Sequence, residues 1–392
     1  MSWEAVRARF PAAARYTYLN TAGAPPISTD VARAGRRYYD EMLADADMPW
    51  ERWLAEVEQV RQVVARFVRS SPDDVAFITN TSDGMNLVAQ MIGPPGPVVT
   101  MADEFPTSTL PWLVRGRRLQ LVASDERGEI HPDAVARALT DDTVALVTSH
   151  VQFRTGFRCD LQALARVAHA RGLPLIVDAA QSAGAVPIDV ERDGVDALMF
   201  SGYKWPMAGY GSGALYLSPS FRARFEMPSA GWMSAAEPDR HVNDRLDLKH
   251  SAAVLEVGCP NFAGIFALGA AVELLEAIGV ERVAARIDEL TGYLHARLDA
   301  LGYVVASPRA RQRRAGITII ASDRADAIVD GLARRRIIVS ARGRGIRVSV
   351  HVFNLAEDID RLIEGLEELR ARCIIASPPG TPSSSDRAMG SG

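Results

Sequence analysis

LPLIVDAAQSAGAVPIDVERDGVDALMFSGYKWPMAGYGSGALYLS, residues 173–218, contains three short apolar runs, each followed by a polar or glycine-rich turn. The runs are LPLIVDA (173–179), VDALMFS (195–201) and GALYLS (213–218). None alternates apolar with polar, so each reads as a strand covered on both faces, the texture of a mostly parallel sheet between helices. Four similar runs come earlier: VAFIT (75–79), PVVTM (97–101), LQLVA (119–123) and TVALVTS (143–149). Helical stretches separate them, among them Asp160–Arg171. The expectation is an α/β domain built on a mostly parallel seven-stranded sheet.

Outward from this region, residues 1–27 read as an N-terminal arm, and Ser28 to Arg69 carries the three-and-four apolar spacing of amphipathic helix. The expected large domain runs over 28–260. A smaller C-terminal α+β domain is expected over 261–375, opening with one long helical stretch from Ile265 to about Leu301. Strands GITIIAS (316–322), IIVSARG (337–343) and IRVSV (346–350) follow, with helices at Asp326–Arg335 and Asp358–Ala371. The Pro, Ser and Gly of 376–392 predict a disordered tail.

With 392 residues the chain needs no disulfide or metal staple to build a core. A formal charge of −4 without a long basic block excludes an electrostatic footprint for nucleic acid or an anionic membrane. No apolar run reaches the ~18–20 residues of a membrane span, so a cytoplasmic protein acting on a small molecule is expected. Cys159, Cys259 and Cys373 are far apart and lack metal-ligand spacing. Of the seven histidines, six (His131, His169, His241, His250, His295 and His351) read as surface or capping residues. His150, beside a strand end, is a candidate site residue, and Trp112, Arg154 and Trp232 are weaker pocket candidates.

Lysine occurs only at 204 and 249, so 42 of the 44 basic residues are arginine. Arginine replaces lysine as a surface charge but not as an amine nucleophile. Ligands of open α/β sheets gather beyond the carboxyl ends of strands, and three such ends are chemically suggestive. After VAFIT come Asn80-Thr81-Ser82-Asp83-Gly84 and a helix, an anion site or a plain N-cap. After LPLIV stand Asp178 and Gln181; after LMFS stands Lys204, between Tyr203 and Trp205. An imine-forming lysine, an acid for a pyridinium nitrogen and a phosphate cradle are what pyridoxal 5'-phosphate requires.

The stretch 175–217 resembles the class V aminotransferase family of fold-type I pyridoxal phosphate enzymes, which includes cysteine desulfurases, isopenicillin N epimerase and kynureninase. YLNTAG (18–23), TSDGMN (81–86), SHVQFRTG (149–156), GCPN (258–261) and IRVS (346–349) are similar to further motifs of that family. The resemblance implies that Lys204 forms the imine and shuttles the Cα proton, Asp178 keeps the pyridinium charged and Gln181 bonds the ring hydroxyl. It implies a phosphate held by Thr81, Ser82 and Tyr203, and Phe105 stacked on the cofactor. Arg347 would clamp the substrate carboxylate, while Asn20, Thr21 and Ala22 would line the substrate entrance; the strand-end His150 and Phe153 complete the expected substrate-binding residues. It further implies a homodimer in which Asn261 reaches the partner's phosphate.

Departures from the family narrow the expected reaction. The region before the arginine reads Ser340-Ala341-Arg342-Gly343-Arg344-Gly345, where desulfurases carry a nucleophilic cysteine. Cys259 replaces a threonine usual in the family, and Phe153 an asparagine usual in desulfurases. The expected chemistry is an external aldimine and Cα carbanion on an α-amino acid, leading to C–S cleavage of a cysteine S-conjugate. An amino acid epimerase or aminotransferase is the alternative, and a non-catalytic cofactor-fold binding protein is the rival of another class. A dinucleotide enzyme is disfavoured because Gly209–Gly213 follows Lys204 and precedes a strand, the reverse of the fingerprint order.

Overall fold

The seven apolar runs all become strands of one sheet in the structure, a computed structural model that describes residues 1–93 and 95–371. Cys373 and the tail 376–392 lie outside the described residues. A two-residue strand β1 (Thr17–Tyr18) precedes the sheet, which consists of β2 (Val75–Ile78), β3 (Val98–Met101), β4 (Leu119–Val122), β5 (Ala145–Ser149), β6 (Leu175–Asp178), β7 (Ala197–Ser201) and β8 (Gly213–Leu217). Their spatial order is β2-β8-β7-β6-β5-β3-β4. Only β8 runs antiparallel to its neighbours β2 and β7. Along β7, Leu198 and Phe200 enter one apolar cluster and Ala197 and Met199 the other, so both faces are covered. That double burial is why these runs lack alternation. Parallel register aligns their carboxyl ends: Ser149 of β5 pairs with Asp178 of β6.

The chain then builds a smaller antiparallel sheet of β9 (Ile317–Ala321), β11 (Ser340–Arg342) and β12 (Gly345–Ser349), in the order β11-β12-β9. A short strand β10 (Ile337–Ile338) pairs in parallel with β1, and Asn20 bridges to Ser349. The N-terminal arm is thereby stitched to the C-terminal region.

The long helix expected from Ile265 to Leu301 is instead two helices, Phe262–Ile278 and Val280–Ala300, turning by 78°. Gly279 sits between them at φ 94°, a conformation that L side chains rarely adopt. The two halves also have different burial. The first is apolar almost all round and packs on helices Thr29–Asp45 and Trp50–Val68; the second is amphipathic and packs on Ala356–Ala371. Among the described residues no single helix is long and apolar enough to cross a membrane.

Candidate active site

Beyond the carboxyl ends of β5, β6 and β7 lies a cavity of about 690 Å³. Its wall includes Asn20, Thr81, Ser82, Phe105, Phe153, Asp178, Gln181, Tyr203, Lys204 and Arg347, ten of the residues singled out from the sequence. Lys204 follows β7 by three residues, and its loop is pinned from several directions. The Trp205 indole N–H donates to Gln181 Oε1 (2.8 Å), and the Trp205 carbonyl accepts from His351 Nε2 (3.0 Å). Gly184, at φ 98°, permits the QSAG turn to approach: a Cβ there would lie 2.7 Å from the Trp205 carbonyl carbon.

The Lys204 amine donates to the carbonyls of Ala22 (3.1 Å) and Gly23 (2.9 Å). Burial, and secondarily the Arg347 charge, lower it from 10.5 to about 8. Desolvation penalises the ammonium, and a nearby guanidinium repels it. Asp178 is buried, and its carboxylate accepts from the Ala180 amide at 2.8 Å and from Ser108 Oγ at 3.4 Å. Burial pushes it up to about 6. An amine ready to lose its proton therefore shares a cavity with a carboxylate that forms no ion pair among the described residues.

At one end, helix Thr81–Met91 points its N-terminus into the cavity. Asn80 caps it through the Asp83 amide, and Ser201 Oγ at the end of β7 binds both the amide (2.9 Å) and the hydroxyl (2.8 Å) of Thr81. Ser82 Oγ bonds Thr107 Oγ1 at 2.7 Å. Hydroxyls and a positive helix end make an anion cradle. The walls are aromatic: Phe105 meets Phe153 edge-to-face with centroids 5.2 Å apart, and Tyr203 stacks on Tyr210 at 4.4 Å. Arg347 also lines the cavity, 3% exposed, with Nε buried and without a partner among the described residues. Asn20 Oδ1 is likewise buried without a partner among the described residues. Stranding such groups costs free energy unless a ligand answers them.

Other expectations need correction. Thr21 and Ala22 are fully buried and do not line the cavity; Ala22 acts through its carbonyl, which accepts from both Lys204 and Gln181. His150 lies outside the cavity wall, because adjacent residues of extended chain point to opposite faces and Ser149 takes the cavity side. Burial holds the His150 imidazole down at about 3. Asn261, expected to act on a partner's phosphate rather than in its own chain's cavity, caps helix Phe262–Ile278 and donates to the carbonyl of Gly211 on the rim (2.8 Å). Trp112, Arg154 and Trp232 are also absent from the wall. His295 and His351, read as surface residues, are buried.

Several residues at or behind the cavity wall escape the sequence reading. Ser149 and Ser201 are strand-end hydroxyls that a stricter pass over every strand end would have flagged. Arg342 and Tyr18 reach the wall only through the hairpin and the stitched arm. Glu104, next to Phe105, is buried behind Ser149, accepting from its amide (2.7 Å), its hydroxyl and Gln152 Nε2 (2.8 Å). Burial raises that carboxyl to about 7.

These features fit a flat, phosphate-bearing aromatic aldehyde: an anion cradle, aromatic walls, a low-lying amine, an acid without an ion pair among the described residues and an unanswered guanidinium. Similarities to known proteins agree. The chain is 28% identical to a probable cysteine desulfurase of Methanothermobacter thermautotrophicus, over 94% of this chain and 98% of that one. The solved apo cysteine desulfurase of Thermococcus onnurineus superposes with a TM-score of 0.85 at 25% identity, covering 93% of this chain and 97% of the other. A cystine C–S lyase structure in complex with cysteine persulfide shares the fold at a TM-score of 0.85 and 22% identity, covering 91% and 98%. The family model for class-V aminotransferases matches residues 17–362. With that match spanning nearly the whole chain, the protein belongs to the class-V aminotransferase family of pyridoxal 5'-phosphate-dependent enzymes.

Proposed function

We propose that this enzyme cleaves the Cβ–S bond of a cysteine S-conjugate by β-elimination. The observation that carries the reading is the combination of the Lys204, Asp178 and Arg347 constellation with a cavity that neither described cysteine lines. The segment 340–345, where the desulfurase resemblance leads one to look for a cysteine, has none. The Methanothermobacter relative's name supports a sulfur-bearing amino acid as substrate, while the missing thiol argues against persulfide transfer through a cysteine of that segment.

When bound, pyridoxal phosphate supplies an electrophilic aldehyde and an electron sink for the Cα–H pair. The protein's part is to bind, orient and move protons. Thr81, Ser82 and Tyr203 would hold the phosphate, Asp178 the ring nitrogen, Gln181 the ring hydroxyl and Phe105 a ring face. Arg347 would take the substrate carboxylate in a two-pronged fork, fixing which Cα bond faces the electron sink. Phe153 and Asn20 would contact the rest of the substrate. Lys204 would carry the Cα proton, a task suited to an amine near 8. The Cβ–S bond then breaks with its electron pair passing to sulfur, which leaves as thiol after taking a proton. Water converts the remaining three-carbon fragment to pyruvate and ammonia. A homodimer is part of the proposal, with a second copy closing the rim near Gly211 and Asn261.

Incubation with S-ethyl-L-cysteine should yield pyruvate, ammonia and ethanethiol in equal amounts, and Lys204→Ala should lose both this turnover and the visible absorption of the reconstituted enzyme. Absence of all three products across varied conjugates would sink the lyase reading in favour of epimerisation or transamination.

A further inference from the structure

We propose that the substrate carries a second negative charge on its sulfur substituent and that Arg342 recognises it. This rests on the C–S lyase reading for the identity of the substrate, though not for the charge preference itself. The argument begins with hairpin register. In the antiparallel pair β11–β12, Ser340 lies opposite Arg347 and Arg342 opposite Gly345. Alternation puts residues two apart on the same face, so Arg342 and Arg347 are diagonal neighbours on one face. Such positions have roots roughly 7–8 Å apart. Both line the cavity.

The charged residues of the wall are Asp178, Lys204, Arg342 and Arg347, one acid against three bases. Asp178 and Lys204 serve the cofactor, and Arg347 answers the substrate's α-carboxylate. That leaves Arg342, whose hydrogen bond among the described residues goes to the carbonyl of Ala341 at 3.2 Å. No carboxylate among the described residues pairs with it or with Arg347, although the surface elsewhere is laced with Arg–carboxylate pairs such as Arg335–Glu368 and Arg309–Asp299. The two guanidiniums also repel, since Arg342 is the second cause, after burial, that lowers Arg347 to about 10. Two guanidiniums without a carboxylate partner among the described residues, the buried Arg347 and the exposed Arg342 on one cavity wall, are matched by a ligand with two anionic groups. An amino acid with one carboxylate answers Arg347 alone. A conjugate bearing an acid beyond sulfur answers both.

The test uses the holoenzyme with S-(2-carboxyethyl)-L-cysteine and its near-isosteric amide, S-(2-carbamoylethyl)-L-cysteine. Dissociation constants are read from the change in visible absorbance, with thiol release followed in parallel. The wild type should bind the acid about tenfold or more tightly than the amide. Arg342→Gln should bring that ratio near one, and Arg342→Lys should restore part of it. Equal affinities in the wild type, a preference that survives Arg342→Gln, or a tenfold loss of pyridoxal phosphate affinity in that variant would overturn the proposal; the last would assign Arg342 to the cofactor phosphate. If neither conjugate releases thiol, the lyase reading fails while the affinity ratio still decides the charge preference.

Discussion

An amine held by two carbonyl oxygens beside a buried guanidinium titrates differently from one in water. For Lys204 this is measurable without cofactor chemistry, because the chain has only two lysines and their labelled peptides separate cleanly. Competitive amine labelling of the apoprotein across pH 6–11 should give Lys204 an inflection near 8. Arg347→Gln should move it upward, since removing a like charge relieves the ammonium. An inflection above 10 in the wild type would contradict the desolvated placement. Lys204 was conspicuous from rarity and position alone. The groups around it were not: Glu104 and His351 matter through burial, which no local pattern reports. Burial holds His351 neutral; its Nδ1 accepts from the Val352 amide (2.7 Å) and its Nε2 donates to the carbonyl of Trp205, 146 residues away.

Helix Thr81–Met91 can present its N-terminus to the cavity because it lies close on the sheet, and Gly84 makes the approach possible. A Cβ at that position would sit 2.8 Å from Ile78 Cδ1 and 3.0 Å from Met199 Cβ. Gly84→Val should therefore cost about 1–3 kcal/mol through overpacking, read as a lower denaturation midpoint, and should weaken pyridoxal phosphate affinity as the helix end shifts. An unchanged midpoint would show that the contact relaxes freely. The seven strands were legible because double burial removes alternation from their sequence. The break at Gly279 was not, since a lone glycine within an apolar run reads as a tolerated helix residue. Likewise the shared face of Arg342 and Arg347 follows from hairpin register rather than from either residue's neighbours.

At the scale of the molecule, buried histidines set the acid limit. Burial lowers His150 to about 3 and His295 and His351 to about 4, from 6.5. Their folded values are depressed, so the stability they confer is complete above pH 6.5 and is lost as pH falls toward 4. Glu104 and Asp178 act in the opposite sense, being raised to about 7 and about 6. Their burial costs stability at neutral pH, and that cost is relieved on acidification. Between pH 6 and 4.5 the unfolded chain carries close to three imidazole protons that the native state lacks, against close to two that the native acids carry and the unfolded ones lack. The net of roughly one proton predicts that stability falls on acidification, by on the order of 1 kcal/mol per pH unit. Chemical denaturation of the apoprotein at pH 6.0, 5.25 and 4.5 measures this slope, and a midpoint that rises on acidification would refute it.

From the residues alone followed the α/β sheet, the order of its strands in the chain and the polar groups at their carboxyl ends, Asp178 and Lys204 above all. These are local matters, written in the length, apolarity and termination of each run. Tertiary structure decided which strand-end residues face the cavity, that Ser149 enters and His150 does not, and that the N-terminal arm supplies the carbonyls gripping Lys204. It also placed a second arginine beside Arg347. Facing and burial depend on register and on contacts between segments hundreds of residues apart, and no stretch of sequence holds that information by itself.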